Sequence, residues 1–102
     1  MTKHRILIAD DHTIVRKGVK FLLETEFDVE NVMEAESCLK TMELLHEFTF
    51  SHLILDMQLQ DGNIMAYLPE IRKEFPEIPI LIYSMSPEEI FARRAIQMGA
   101  TS

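Results

Sequence analysis

Apolar and polar positions alternate between two rhythms along the chain. Residues 6–9 (Ile6-Leu7-Ile8-Ala9), 53–57 and 80–84 are short β-rich apolar runs, the signature of strands covered on both faces. Residues 29–35 form a weaker and more polar run, which predicts a strand at a sheet edge. Between these runs the period lengthens. Val15, Val19, Leu22 and Leu23 recur at helical spacing after a start near Thr13. Ser37 is the expected N-cap of a second helix whose Leu39, Met42 and Leu45 face inward. Asp61-Gly62-Asn63 reads as a turn, followed by a stripe of Ile64, Leu68, Ile71 and Phe75. Pro69 inside that stripe predicts a late helix start or a kink. A fourth helix is expected from Ser86, with Pro87 at its first position, Glu89 completing a capping box and Gly99 closing it. Four βα units in a row require right-handed crossovers and a parallel sheet with helices on both faces.

Composition narrows this picture. The chain has 102 residues, 47% hydrophobic and 26% charged, enough for one domain with one core over residues 1–102. Its net charge of -7 is spread along the chain, which disfavours nucleic acid or an anionic membrane as a direct partner and favours a cation. The single cysteine, Cys38, cannot make an intrachain disulfide, and the apolar stretch near the N-terminus is too short for a signal sequence or membrane span. A cytoplasmic location fits both observations.

The candidate chemistry sits where the strands end. Asp10 and Asp11 close the first run, Asp56 closes the third and Ser84 the fourth. In open parallel sheets the ligand site lies beyond the carboxyl ends of the strands. Three carboxylates brought together there repel one another, so they hold protons or bind a cation, and hard oxygen donors favour Mg²⁺. One of them could also act as a nucleophile toward a phosphoryl group. His12 follows the acidic pair and is expected at the surface, and His4, His46 and His52 share no ligand spacing. Cys38 is expected to be inert, and Met33, Met42, Met65 and Met98 to fill the core.

The stretch Ile6-Leu7-Ile8-Ala9-Asp10-Asp11-His12, followed by Val15-Arg16-Lys17-Gly18, resembles the opening of a response-regulator receiver domain of the NarL/LuxR-type branch. Leu53-Ile54-Leu55-Asp56-Met57, Ile80-Leu81-Ile82-Tyr83-Ser84 and Ala95-Ile96-Gln97-Met98-Gly99-Ala100 extend the resemblance over nearly the whole chain, in order. It implies a flavodoxin-like α/β fold of strand order 2-1-3-4. Asp56 would take a phosphoryl group from a sensor histidine kinase. Asp11 and Asp56 would hold Mg²⁺ together with the main-chain carbonyl of Gln58, and Asp10 would act directly or through water. Ser84 would hydrogen-bond the phosphoryl oxygen, and the resulting shift would switch an output, such as a DNA-binding domain outside this sequence. Gln58 and Ser86 fall at positions that tune dephosphorylation in the family.

The departures bear on mechanism. Receivers carry a fifth strand with a lysine that pairs with the phosphoryl group, then a fifth helix. This sequence ends at Ser102, and Lys3, Lys17, Lys20, Lys40 and Lys73 do not stand where that lysine belongs. A fragment of a longer regulator is one expectation; dimerisation or element swapping through an apolar edge at residues 80–83 is another. A phosphorylation-independent interaction module is the alternative function. A haloacid-dehalogenase-type phosphatase is disfavoured, because Met57 and Gln58 follow Asp56 where that class places a second aspartate. Gln60 and Ile64 replace the usual proline and glycine of the loop.

Overall fold

The computed structural model describes residues 4–27 and 29–84. The expected helix from Ser86 to Gly99 and the stretch matching at residues 95–100 lie outside the described residues.

Four parallel strands make one sheet: β1 (His4–Ala9), β2 (Val29–Ala35), β3 (His52–Asp56) and, later in the chain, β6 (Ile80–Tyr83). Their order is β2-β1-β3-β6, so the polar strand β2 lies at the edge, as its composition predicts. Consecutive strand residues point to opposite faces. Leu7 and Ala9 therefore join a large cluster with Leu53, Leu55, Ile80 and Ile82. Ile6 and Ile8 join Val32 in a small cluster on the other face, against which Val19, Leu23 and Ile54 pack.

Helix α1 (Thr13–Glu26) covers the small cluster and α2 (Cys38–Glu47) the large one. No residue of α1 is fully buried, and Leu22, expected to face inward, is 56% exposed. The helix packs on the sheet through Val19 and Leu23, four residues apart, and Leu22 falls on its flank. In α2, Met42 and Leu45 are buried as expected, together with Cys38, Thr41 and Leu44, whereas Leu39, also expected inside, is 65% exposed. Thr41 holds that inward position because its hydroxyl donates to the Ser37 carbonyl at 2.7 Å.

Ser37 caps α2 as predicted, its hydroxyl oxygen accepting from the Lys40 amide at 3.0 Å. A second cap comes from far along the chain. The carboxylate of Asp61 accepts from the amides of Cys38 and Leu39 at 2.6 and 3.0 Å, and these bonds hold its pKa below the usual carboxylate range.

Sequence reasoning missed the element that delivers Asp61. Beyond β3 the chain forms a small antiparallel hairpin, β4 (Gln58–Leu59) and β5 (Gly62–Asn63), turning at Gly62 with φ of 144°. Only glycine adopts that conformation freely, which explains the Asp61-Gly62 pair. A 3-10 turn (Ile64–Ala66) follows, and α3 (Leu68–Glu74) starts late with Pro69 in its first turn. The proline thus begins the helix where its missing N–H costs nothing. Arg72 then gathers the carbonyls of Phe75, Pro76 and Ile78 at 3.3, 2.9 and 2.9 Å, fixing the loop that enters β6.

The phase of α2 is open to test by urea denaturation. Leu45→Ala empties a site 2% exposed and is expected to cost about 2–5 kcal/mol. Leu39→Ala is expected to change stability by less than about 0.5 kcal/mol.

Candidate functional site

Because all four strands of the sheet run the same way, their carboxyl ends share one edge, and the predicted acidic residues meet there. Asp10 follows β1 and is wholly buried; Asp56 ends β3 and is 1% exposed. Asp11 is half-buried beside them. Ser84 stands half-buried immediately after β6. Gln58 opens β4, and its amide points at Asp56 Oδ1 across 3.4 Å.

His12 is exposed, as expected of it, and its ring also joins this group. Half of its side chain is exposed, but Nδ1 reaches 2.7 Å from Asp10 Oδ1, 3.2 Å from Asp11 Oδ1 and 3.5 Å from Asp56 Oδ2. The residue is the N-cap of α1, yet its side chain caps nothing and turns into the pocket instead. Its hydrogen bond with Asp10, reinforced by the charges of all three aspartates, lifts its pKa above the ordinary histidine value.

The two buried aspartates have opposite surroundings. Asp10 Oδ1 accepts from the His12 amide at 2.7 Å and from the imidazole, and Oδ2 accepts from the Tyr83 hydroxyl. Burial opposes its ionisation, but the Tyr83 and His12 bonds outweigh burial, and its pKa falls below the usual range. Asp56 has only the distant Gln58 amide. Burial, and next the charge of Asp10, push its pKa up to about 6. Its Oδ2 is buried without a hydrogen-bond partner.

Sequence reasoning also passed over Tyr83 and Arg16. Tyr83 is the register partner of Asp56, and its phenol crosses the end of β3 to reach Asp10. Burial and then Asp10 raise its pKa, so it stays protonated and donates. Arg16 donates to the Asp10 carbonyl at 2.7 Å and to Glu34 Oε1 at 2.9 Å. Lys17 and Lys20 complete the neutralisation of Glu34, at 2.9 and 3.5 Å. The first strand-to-helix loop is thereby pinned to β2. The signal in the sequence was the arginine four residues beyond His12, one helical turn into α1.

Cys38 is buried away from the pocket, and burial, with Asp61 behind it, pushes its thiol up to about 12, too high for reactivity at neutral pH. Met42 is buried in the large cluster and Met33 and Met65 pack against it, as expected of core filler; Met98 lies outside the described residues.

Asp10, Asp11, His12 and Asp56 each offer a ligand atom, all within 4.8 Å of one another. The unpartnered oxygen of Asp56 and the surplus of carboxylates fit a hard divalent cation.

Residues 6–102 match the family model of the response regulator receiver domain. The chain is 28% identical over 96 residues to the transcriptional regulatory protein YhcZ of Bacillus subtilis, covering 94% of this chain and 45% of that protein. It is 29% identical over 98 residues to the response regulator VraR of Staphylococcus aureus, covering 96% and 47%. The chain thus spans about half the length of these relatives. Among solved structures, a LuxR-family two-component response regulator from Aurantimonas superposes with a TM-score of 0.84 at 30% identity, covering 97% of this chain and 71% of that one. RcsB of Salmonella enterica, bound to promoter DNA in the presence of a beryllofluoride phosphomimetic, gives 0.84 at 24% identity, covering 97% and 57%.

The chain belongs to the response regulator receiver domain family. Within it, the relatives place it with the LuxR-type regulators of two-component systems, a signalling module with the flavodoxin-like fold and strand order expected.

The raised pKa of Asp56 sets a pH dependence. A carboxyl whose folded pKa exceeds its unfolded value binds more protons when folded, so its contribution to stability falls as pH rises from about 4 through about 6. Asp56→Asn is therefore expected to stabilise the protein at pH 7 by up to about 3 kcal/mol and to change little at pH 4. Thermal melts at the two pH values check this.

Proposed function

We propose that this domain is phosphorylated on Asp56 by a sensor histidine kinase in the cytoplasm and transmits that event to an output function. The observation that carries the reading is the condition of Asp56: buried at the end of β3, short of donors, with one oxygen that accepts no hydrogen bond. With a pKa of about 6 it is mostly ionised at neutral pH and able to attack phosphorus. In the transfer the N–P bond of a phosphohistidine breaks, a bond forms between an Asp56 carboxylate oxygen and phosphorus, and the kinase imidazole leaves with a proton.

Asp11 and Asp56, with the main-chain carbonyl of Gln58, are read as the holders of Mg²⁺, and Asp10 as acting through water. The bound cation would offset the charge of the incoming phosphoryl group. Asp10 keeps the loop in place through Tyr83 and His12. Ser84, half-buried beyond β6, is read as the hydroxyl that meets a phosphoryl oxygen, drawing the end of β6 inward.

The output follows from the relatives. YhcZ is a transcriptional regulatory protein, and RcsB has been solved on promoter DNA. A DNA-binding output domain joined to the receiver, with pairing between copies, is the corresponding reading for the longer protein. No helix among the described residues is long and apolar enough to cross a membrane.

Acetyl phosphate with Mg²⁺, followed by intact mass measurement, tests the assignment. The expected result is a gain of one phosphoryl group, lost on chelation of the metal and in Asp56→Asn. An unmodified wild type, or an adduct that persists in Asp56→Asn, overturns it.

A further inference from the structure

Asp10 and Asp56 lie in one pocket but differ in what their oxygens still need. Both oxygens of Asp10 are occupied, Oδ1 by the His12 amide and ring and Oδ2 by the Tyr83 hydroxyl. Asp56 Oδ2 has no hydrogen-bond partner, the His12 ring standing 3.5 Å away, and Asp11 Oδ1 faces that same ring at 3.2 Å. A cation entering this pocket therefore meets two carboxylates short of donors and a third well supplied with them.

Tyr83 is held so that it can maintain this division. Its carbonyl accepts from the Met57 amide at 2.8 Å, extending the β3–β6 ladder one residue past the reacting aspartate. Its hydroxyl reaches over β3 to Asp10 on β1. Adjacent strands lie about 4.8 Å apart, so the Tyr83 and Asp10 side chains together bridge two strand spacings, which a serine or threonine in place of the tyrosine would be too short to do. Strand β6 is thus tied by one residue to both aspartate-bearing strands.

We infer that Tyr83 is a positioning residue that keeps Asp10 outside the inner coordination shell of the bound divalent cation. The inference rests on the metal-binding reading given above. By engaging Oδ2 of Asp10, the phenol would leave the ion to Asp11, Asp56 and the Gln58 carbonyl, with water in the remaining positions, the hydration that Mg²⁺ prefers to keep. It also makes Asp10 a link between the occupied site and β6, independent of the Ser84 hydroxyl.

Removing the hydroxyl has an unusual expected sign. In Tyr83→Phe a buried carboxylate oxygen loses its donor, and a cation is the partner best able to replace it. With Mn²⁺ as the probe, Tyr83→Phe is expected to bind the ion about tenfold more tightly, the size of a charge-assisted hydrogen bond exchanged for direct coordination. The bound ion is expected to carry one water fewer, measured by water-proton relaxation or pulsed electron paramagnetic resonance. In an Asp10→Asn background the same substitution is expected to have no effect on affinity. A merely structural role would weaken binding and leave the hydration number unchanged. Either of those results, or an effect of Tyr83→Phe that survives in Asp10→Asn, overturns the inference.

A second measurement needs no change at Tyr83. The chain has two tyrosines and no tryptophan, so in Tyr67→Phe the tyrosine emission comes from Tyr83 alone. That emission, quenched by the carboxylate contact, is expected to stay low at saturating Mg²⁺ and to rise in Asp10→Asn. A rise on adding Mg²⁺ to the Tyr67→Phe protein would mean that the cation pulls Asp10 off the phenol, against the inference. Failure of the underlying reading looks different: Mn²⁺ binding absent from the wild type, or unchanged in Asp56→Asn and Asp11→Asn.

Discussion

A carboxylate that is wholly out of solvent must be given donors, and the edge of the sheet is organised around giving them to Asp10. An isolated buried charge costs several kcal/mol, more than half the stability of many small domains. Asp10 escapes that cost through three donors drawn from two places: the amide and ring of His12 at the start of α1, and the hydroxyl of Tyr83 at the end of β6. The sheet order makes this possible. With β3 between β1 and β6, a side chain reaching from one to the other must pass the end of β3, where Asp56 sits.

The satisfaction of Asp10 creates the need of Asp56. Donors spent on one carboxylate are not available to its neighbour, and the ionised Asp10 repels charge on the buried Asp56. The result is one aspartate held ionised and another that keeps its proton until about pH 6. Two identical side chains thereby acquire different chemistry from their surroundings alone. His12, half-exposed and touching all three acids, moderates the repulsion without removing it.

How far the sequence foretold this depends on which interactions decide each feature. Strands β1, β3 and β6 were legible because each is a short apolar run bounded by polar or turn residues, and β2 because an edge strand tolerates polar residues. Gathering Asp10, Asp11 and Asp56 required only that parallel strands end together. The stripes of α1 and α2 were found but misphased at Leu22 and Leu39, since periodicity gives a face and not the width of the contact, and since Cys38 and Thr41 count as weakly apolar or polar until Thr41 is seen bonded to its own helix. The two-residue strands of the hairpin are shorter than any period can reveal. Tyr83 was missed for a further reason: its role follows from the demand of a partner 73 residues away, while the place of the His12 ring follows from a pocket assembled by several elements.

The two faces of the sheet are not held equally, and this bears on how a change in the pocket spreads. The α2 and α3 face is densely packed, and the Asp61 carboxylate joins the hairpin after Asp56 to the start of α2. Close-packed interiors yield little, so this side acts as the anvil. On the other face α1 has no fully buried residue and is fastened mainly through its first turns, by Arg16 and Lys17 to Glu34 and by Arg16 to the Asp10 carbonyl. Charged contacts of this kind can be redrawn at less cost than a packed core. An event at Asp56 that alters the field felt by Asp10 and His12 therefore acts on the more adjustable side, through the same residues that fix where α1 begins. The second outlet is β6, joined to Asp10 by the Tyr83 hydroxyl. The pocket thus has a rigid wall carrying Asp56 and two compliant arms meeting at Asp10 beside it, which is the arrangement a switch requires.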